Sequence, residues 1–399
     1  MRLAKIAVKA AIWLALVSAL ALGNAAGAAP TKIEQEGQPI KAALLYNSSG
    51  PMASIDEPAY KGAILAAKLI NAAGGITGGQ KLELIPTDTG SNIAKAGSAG
   101  MDEKNKDVVA AIGYGDSAFV ISAASPFVNK GIPYITPGAT LPTLPGMLGE
   151  RFFMTAYGDD GQGRAIADYA YNNLNVKRIV VWTDTSMAFT LAVSDSFKRR
   201  FAELGGTVLY EDLFKSGMPV PPDLSKMVER LRTNEPKPEA VFVAAIEEEA
   251  ALSVKLLRNG GIDIPIVSAD GFDSPLVEKA EMAKPITNVY FSTHSYRGET
   301  RKEVTDFIKA YKKEYGKEPD NAYAALGYDA VNILADAIRR IGNSGVPDKD
   351  TISKALSETK DFKAVTGVIT MRPKSPPEKS IAIAEIKDGK YTVVHTWRP

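Results

Sequence analysis

From residue 41 onward, short apolar runs alternate with stretches whose apolar positions recur every three or four residues. Residues 41–46 (KAALLY) form a run suited to a strand buried on both faces. Asp56-Glu57-Pro58 then reads as a helix start, with a capping carboxylate, an acidic first turn and a proline where no N–H is missed. Tyr60, Ile64, Ala67 and Asn71 keep one helical face, and Gly74-Gly75 supplies the left-handed stop. The alternation continues with strands at 81–87, 108–113 and 133–136 and helices at 92–104 and 117–128. It restarts after Arg151, with strands at 178–183, 207–212, 240–245 and 265–268 between helices at 163–174, 189–204, 224–232 and 247–259. A strand at 289–293, helices at 300–315 and 321–341, and three β-like runs at 364–371, 381–387 and 391–396 close the chain. Repeated βαβ units predict an α/β fold of parallel sheets covered by helices on both faces. A chain of 399 residues is too long for one such sheet. Two doubly wound parallel-sheet lobes are therefore expected, joined by several short crossings, since no low-complexity linker separates the halves.

The N-terminus breaks this rhythm. Arg2, Lys5 and Lys9 precede an apolar run at 10–22, and Ala26-Gly27-Ala28 follows as a small-x-small cleavage site. That is the plan of a secretory signal peptide over 1–28, with a run too short to span a membrane. No cysteine stands at the cleavage site to carry a lipid, so an exported, unanchored, periplasmic protein is expected.

Composition narrows the chemistry. Hydrophobic residues make up 45% and charged residues 23%, which excludes wholesale disorder. A formal charge of +1 lacks the basic excess of a nucleic-acid binder, so no nucleic-acid partner is expected. With no cysteine, a disulfide framework and a thiolate site are ruled out, and two histidines, His294 and His395, argue against a histidine-based triad or metal cluster. No cofactor and no metal are expected. Residues 113–118 (GYGDSA) match the loose dinucleotide fingerprint after a strand, but the acidic residue it needs about 20 positions on is missing from 133–138 (PYITPG). The same segment opens a helix, where Ser117 suits either a ligand carboxylate or the cap itself, and Asp116 suits the cap. Glu247-Glu248-Glu249 reads as the acidic first turn of a helix, and Arg199-Arg200 and Arg339-Arg340 read as solvated helix faces.

Several stretches together are similar to one family. They are Ser49-Gly50-Pro51, 70–79 (INAAGGITGG), Asp88, Ala111-Ile112-Gly113, Ser117, 132–140 (IPYITPGAT), Asp160-Gly161-Gln162-Gly163, Asp223-Leu224-Ser225 and Gly327-Tyr328-Asp329-Ala330. In this order they resemble the type I periplasmic solute-binding proteins, in the branch of the leucine/isoleucine/valine-binding proteins of ABC importers. The resemblance covers essentially the whole chain after the leader. It implies two lobes joined by a three-crossover hinge, with 38–157 plus 286–378 in the first lobe and 158–285 plus 379–399 in the second. It implies a monomeric receptor, not an enzyme, that captures an amino acid or related small carboxylate between the lobes and delivers it to an inner-membrane ABC permease. By position, Ser117 and Thr140 would hold the ligand carboxylate through hydroxyls and backbone N–H groups, Ala139 belonging to that loop. The Gly138 carbonyl and Asp270 would meet the ammonium, although Asp270 before Gly271 also reads as a turn residue. Ile55, Ala188 and Ile246 fall where the family places aromatic or small polar walls. An aromatic acid, an amide or urea, or a dicarboxylate therefore stays open as ligand, and a sensor subunit of a membrane receptor as role.

Overall fold

The computed structural model describes residues 37–216, 224–278, 285–294, 298–342, 345–372 and 374–399. The expected signal peptide over 1–28 lies outside them. Five strands, β1 (Ile40–Tyr46), β2 (Leu82–Asp88), β3 (Ala110–Gly113), β4 (Tyr134–Thr136) and β5 (Phe152–Met154), form an all-parallel sheet in the order β2-β1-β3-β4-β5. β1 shows why its sequence is apolar throughout. Ala43 and Leu45 pack into the core on one face, and Ile40, Ala42 and Leu44 into a second core on the other.

The second sheet begins with β6 (Arg178–Asp184), β7 (Thr207–Phe214), β8 (Ala240–Ala244), β9 (Ile266–Ser268) and β10 (Val289–Thr293). The chain then returns to the first lobe, where β11 (Phe362–Ala364), β12 (Gly367–Arg372) and β13 (Ser375–Glu378) make a small antiparallel sheet. β14 (Ile381–Lys387) and β15 (Lys390–Trp397) go back again, giving a seven-stranded sheet in the order β15-β14-β10-β9-β8-β6-β7. Its β14 and β15 run antiparallel to their neighbours and the remainder is parallel. Two doubly wound lobes joined by three crossings are thus the architecture. In each parallel core the first and third strands are adjacent and their connections leave in opposite directions. That is the switch point where a crevice opens beyond the strand ends.

The crossings are tied to one another. Lys379, buried in the third, donates to the Thr155 carbonyl at 3.2 Å in the first and to Thr366 Oγ1 at 2.5 Å. Burial lowers its ammonium pKa to about 7 despite the nearby Asp329 carboxylate. The Tyr157 ring of the first crossing stacks on His294 of the second, with centroids 3.9 Å apart. Within the first lobe, the helix Tyr323–Ile341 crosses Ala53–Ala72 so closely that a Cβ on Gly327 would stand 1.9 Å from the Ala59 carbonyl oxygen. Only glycine permits that approach, which brings the N-terminal ends of both helices to one place.

Several expectations need correction. The helix expected to start at Asp56 begins at Ala53 without a side-chain cap, and Asp56 turns inward, accepting from Asn47 Nδ2 at 2.6 Å and the Gly115 N–H at 2.7 Å. Residues 92–104 are not one helix: Ile93–Ser98 is followed by the 3₁₀ turns Ala99–Met101 and Glu103–Asn105, with Asp102 extended between them. The run at 364–371 divides into β11 and β12 around a turn at Gly367, whose φ is +121°. Val289–Thr293, which a first-lobe return at 286 would exclude from the second sheet, pairs there with β9 and β14. β5, β13 and the helices Leu144–Leu148 and Lys349–Ser357 have no counterpart in the sequence reading.

Candidate functional site

A small cavity lies where the strand ends of the two lobes meet. Its walls come from matching connections in each sheet. Gly115, Asp116 and Ser117 follow β3, and Gly138 and Thr140 follow β4. From the other lobe, Met187 and Phe189 follow β6, Ile246 follows β8 and Asp270 follows β9. Ile55 and Tyr323, at the starts of the two crossing helices, complete it.

The first-lobe wall is made of donors and small groups. Asp116 caps the helix Ser117–Asn129, accepting from the Ala118 and Phe119 N–H groups at 2.9 and 3.1 Å. Those amides are therefore occupied, and the helix start offers the Ser117 hydroxyl instead. Ser117 Oγ accepts the Leu141 N–H at 3.3 Å, which leaves its own proton to donate. The loop beneath is held from behind: Asp56 takes the Gly115 N–H, and Thr136 Oγ1 donates to the Tyr114 carbonyl at 2.7 Å. Burial pushes the Asp56 carboxyl up to about 7 against the hydrogen bonds that favour its charge. A Cβ on Gly138 would lie 2.9 Å from the Tyr323 ring, so the backbone reaches the cavity only without a side chain.

The second-lobe wall is apolar around one acid. Asp270 is 2% exposed, and burial raises its carboxyl to about 7. Its Oδ2 lies 3.2 Å from His294 Nε2, while Oδ1 has no hydrogen-bond partner among the described residues. His294 is itself held well below its usual range by burial, so it is a neutral neighbour. Buried Asp159 is pushed well up by burial and then by the Asp270 carboxylate.

Of the residues expected at the site, Ile55, Ser117, Gly138, Thr140, Ile246 and Asp270 line this cavity. Two do not. Ala139 is buried in the core and its N–H donates to Thr136 Oγ1 at 3.1 Å. Ala188 is exposed, because the helix Ala188–Glu203 begins there and turns the next residue, Phe189, inward. The aromatic wall expected to be missing is thus present, built by Phe189 and Tyr323. Phe189 lies one place beyond the expected Ala188, whereas no local pattern marks Tyr323. Among the described residues, no group of three potential metal ligands occurs, and no helix is long and apolar enough to cross a membrane.

Residues 39–390 match the family model described as periplasmic binding protein. The chain is 27% identical over 350 residues to Leu/Ile/Val-binding protein homolog 1 of Brucella suis, spanning 87% of this chain and 91% of that one. The solved branched-chain amino acid transporter substrate-binding protein LivJ of Streptococcus pneumoniae, in complex with isoleucine, superposes with a TM-score of 0.81 at 28% identity, over 90% of this chain and 100% of that one. A solute-binding protein from R. palustris in complex with benzoate gives 0.76 at 20% identity, over 90% and 97%, a likeness of fold.

Proposed function

Since the chain belongs to the periplasmic binding protein family, a family of solute-binding proteins, we propose that it is the receptor of an ABC importer for an amino acid or related small carboxylate. On this reading it is exported by its leader, acts as a monomer without catalysis, closes its lobes over the ligand and presents the closed form to an inner-membrane permease. The two lobes would move about the three crossings. The observation that carries the reading is the division of the cavity. Hydroxyls at Ser117 and Thr140 stand on one lobe, and on the other stands a buried carboxylate, Asp270, whose Oδ1 has no partner among the described residues. An amino acid's carboxylate and ammonium would bridge them, and a ligand that contacts both lobes stabilises the closed state over the open one.

Calorimetric titration against the common amino acids tests this. Replacing Ser117→Ala together with Thr140→Ala should weaken binding of the amino acid that binds by about 2–4 kcal/mol, from lost charge-assisted hydrogen bonds. Unchanged affinity would remove the site. A second reading, an aromatic carboxylate without an ammonium, draws on Phe189 and Tyr323 and on an Asp270 carboxyl that burial raises to about 7. Benzoate in the same titration separates the two.

A further inference from the structure

A continuous set of buried hydrogen bonds runs from the first-lobe wall of the cavity to Asp270. The Asp159 N–H donates to the Thr140 carbonyl at 2.8 Å. Asp159 Oδ1 accepts from Gln162 Nε2 at 2.8 Å. Gln162 Oε1 accepts from the Asp270 N–H at 3.2 Å and from Ser292 Oγ at 2.8 Å. Gln162 and Asp159 are fully buried at the start of the helix Asp159–Asn172, directly after the first crossing. Ser292 stands on β10, two residues before His294, which faces the far oxygen of Asp270.

Gln162 thus touches neither the cavity nor solvent, yet both ends of its amide are used, one on each side of the ligand frame. Asp270 sits in a single 3₁₀ turn, Asp270–Phe272, with no side-chain cap. A buried amide without an acceptor is costly, so the Gln162 oxygen selects the one placement of that turn in which the Asp270 N–H is satisfied. The same placement sets where Asp270 Oδ1 points. Resting on the amino-acid reading above, we propose that Gln162 is a positioning residue that holds Asp270 at a set distance from the Thr140 loop, so that the receptor reads a ligand's ammonium and carboxylate as one spaced pair. Gln162 contributes nothing to carboxylate binding itself. Its influence falls on the amine end alone.

The test uses the full chain, with Gln162→Met and the milder Ser292→Ala, which removes one donor from the same oxygen. Hydrogen exchange read by mass spectrometry examines the tie without any ligand. In Gln162→Met the segment carrying residues 269–273 should exchange about tenfold faster or more, while segments of the first sheet keep their protection. Ser292→Ala should move the same segment in the same direction by less, and serves if the methionine variant does not fold. Unaltered protection of 269–273 overturns the proposal.

Titration then compares leucine with 4-methylpentanoate and phenylalanine with 3-phenylpropanoate, pairs that differ only by the ammonium group. In the variants, affinity for the amine-bearing member should fall about tenfold or more, and that for its partner should stay within about twofold. Equal losses in both members would mean a merely structural role and overturn the proposal. Failure of the wild-type chain to bind any amine-bearing compound would instead sink the amino-acid reading, a result visible before any variant is made. The exchange measurement would still decide whether Gln162 holds Asp270.

Discussion

The two walls of the cavity are built from equivalent positions of two similar sheets, yet their chemistry differs. After β3 and β4 the first lobe presents glycines and hydroxyls, with its backbone anchored from behind by Asp56, Thr136 and the Asp116 cap. After β6, β8 and β9 the second lobe presents Met187, Phe189 and Ile246 around Asp270, whose Oδ1 has no hydrogen-bond partner among the described residues. On the proposed reading, the first wall would donate to an anion and the second would sort what is attached to it, so equivalent strand ends would serve two tasks according to whether they carry donors or bulk.

The largest test of that division is Asp270→Ala. Amino-acid affinity should fall by about 3–5 kcal/mol in calorimetry, since the ammonium would be left buried without its counter-charge, while des-amino carboxylates should lose little. A similar loss for both classes would erase the contrast between the walls. Next in size is Gly327→Ala. The added methyl forces the two crossing helices apart and should cost about 1–3 kcal/mol of stability in chemical unfolding, with Ile55 and Tyr323 displaced from the cavity. Phe189→Leu should shift selectivity by about 1 kcal/mol toward bulkier side chains without changing the des-amino penalty.

A further test is in pH, and it reads stability rather than selectivity. The Asp56 carboxyl is raised to about 7 in the folded chain by burial, above its unfolded value of about 3.9. Between these two values the folded state holds the extra proton, so this group's contribution to stability declines as pH rises through that window. Asp56→Asn should therefore gain on the wild type from about pH 4 to 7, by at most about 1.4 kcal/mol per pH unit, in paired unfolding curves. Lys379 has the opposite sign. Its folded value near 7 lies below its unfolded one of about 10.4, so its contribution improves as pH rises through that range. Lys379→Met should gain on the wild type toward neutral pH and lose that advantage at the alkaline end.

Much of the scaffold was legible because buried parallel strands must be apolar on both faces and their helices carry periodic stripes. β1, β3, β6 and β8 stand out for that reason. β5 is three residues long and β13 reads Ser375-Pro376-Pro377-Glu378, so neither offers a period to detect. Site residues next to recognisable strand ends, Ser117, Thr140 and Asp270, were within reach. Phe189 was missed by one place because the helix phase decides which neighbour turns inward, and phase follows packing. Tyr323 and Gln162 are tied to the site by contacts more than 100 residues away in sequence, Gln162 with Asp270 being 108 apart. No local pattern encodes such a pairing.

The interleaving of the chain has a further consequence. The first lobe borrows its central helix from 323–341 and its small sheet from 362–378, and the second is completed by β14 and β15 at the extreme C-terminus. Neither half can be excised as a contiguous fragment. A ribosome or protease that removed the last 20 residues or so would strip an edge from the sheet that began two hundred positions earlier. Such a fragment would expose the outer strand β10 to pairing with other chains, so the molecule is whole or it is a liability.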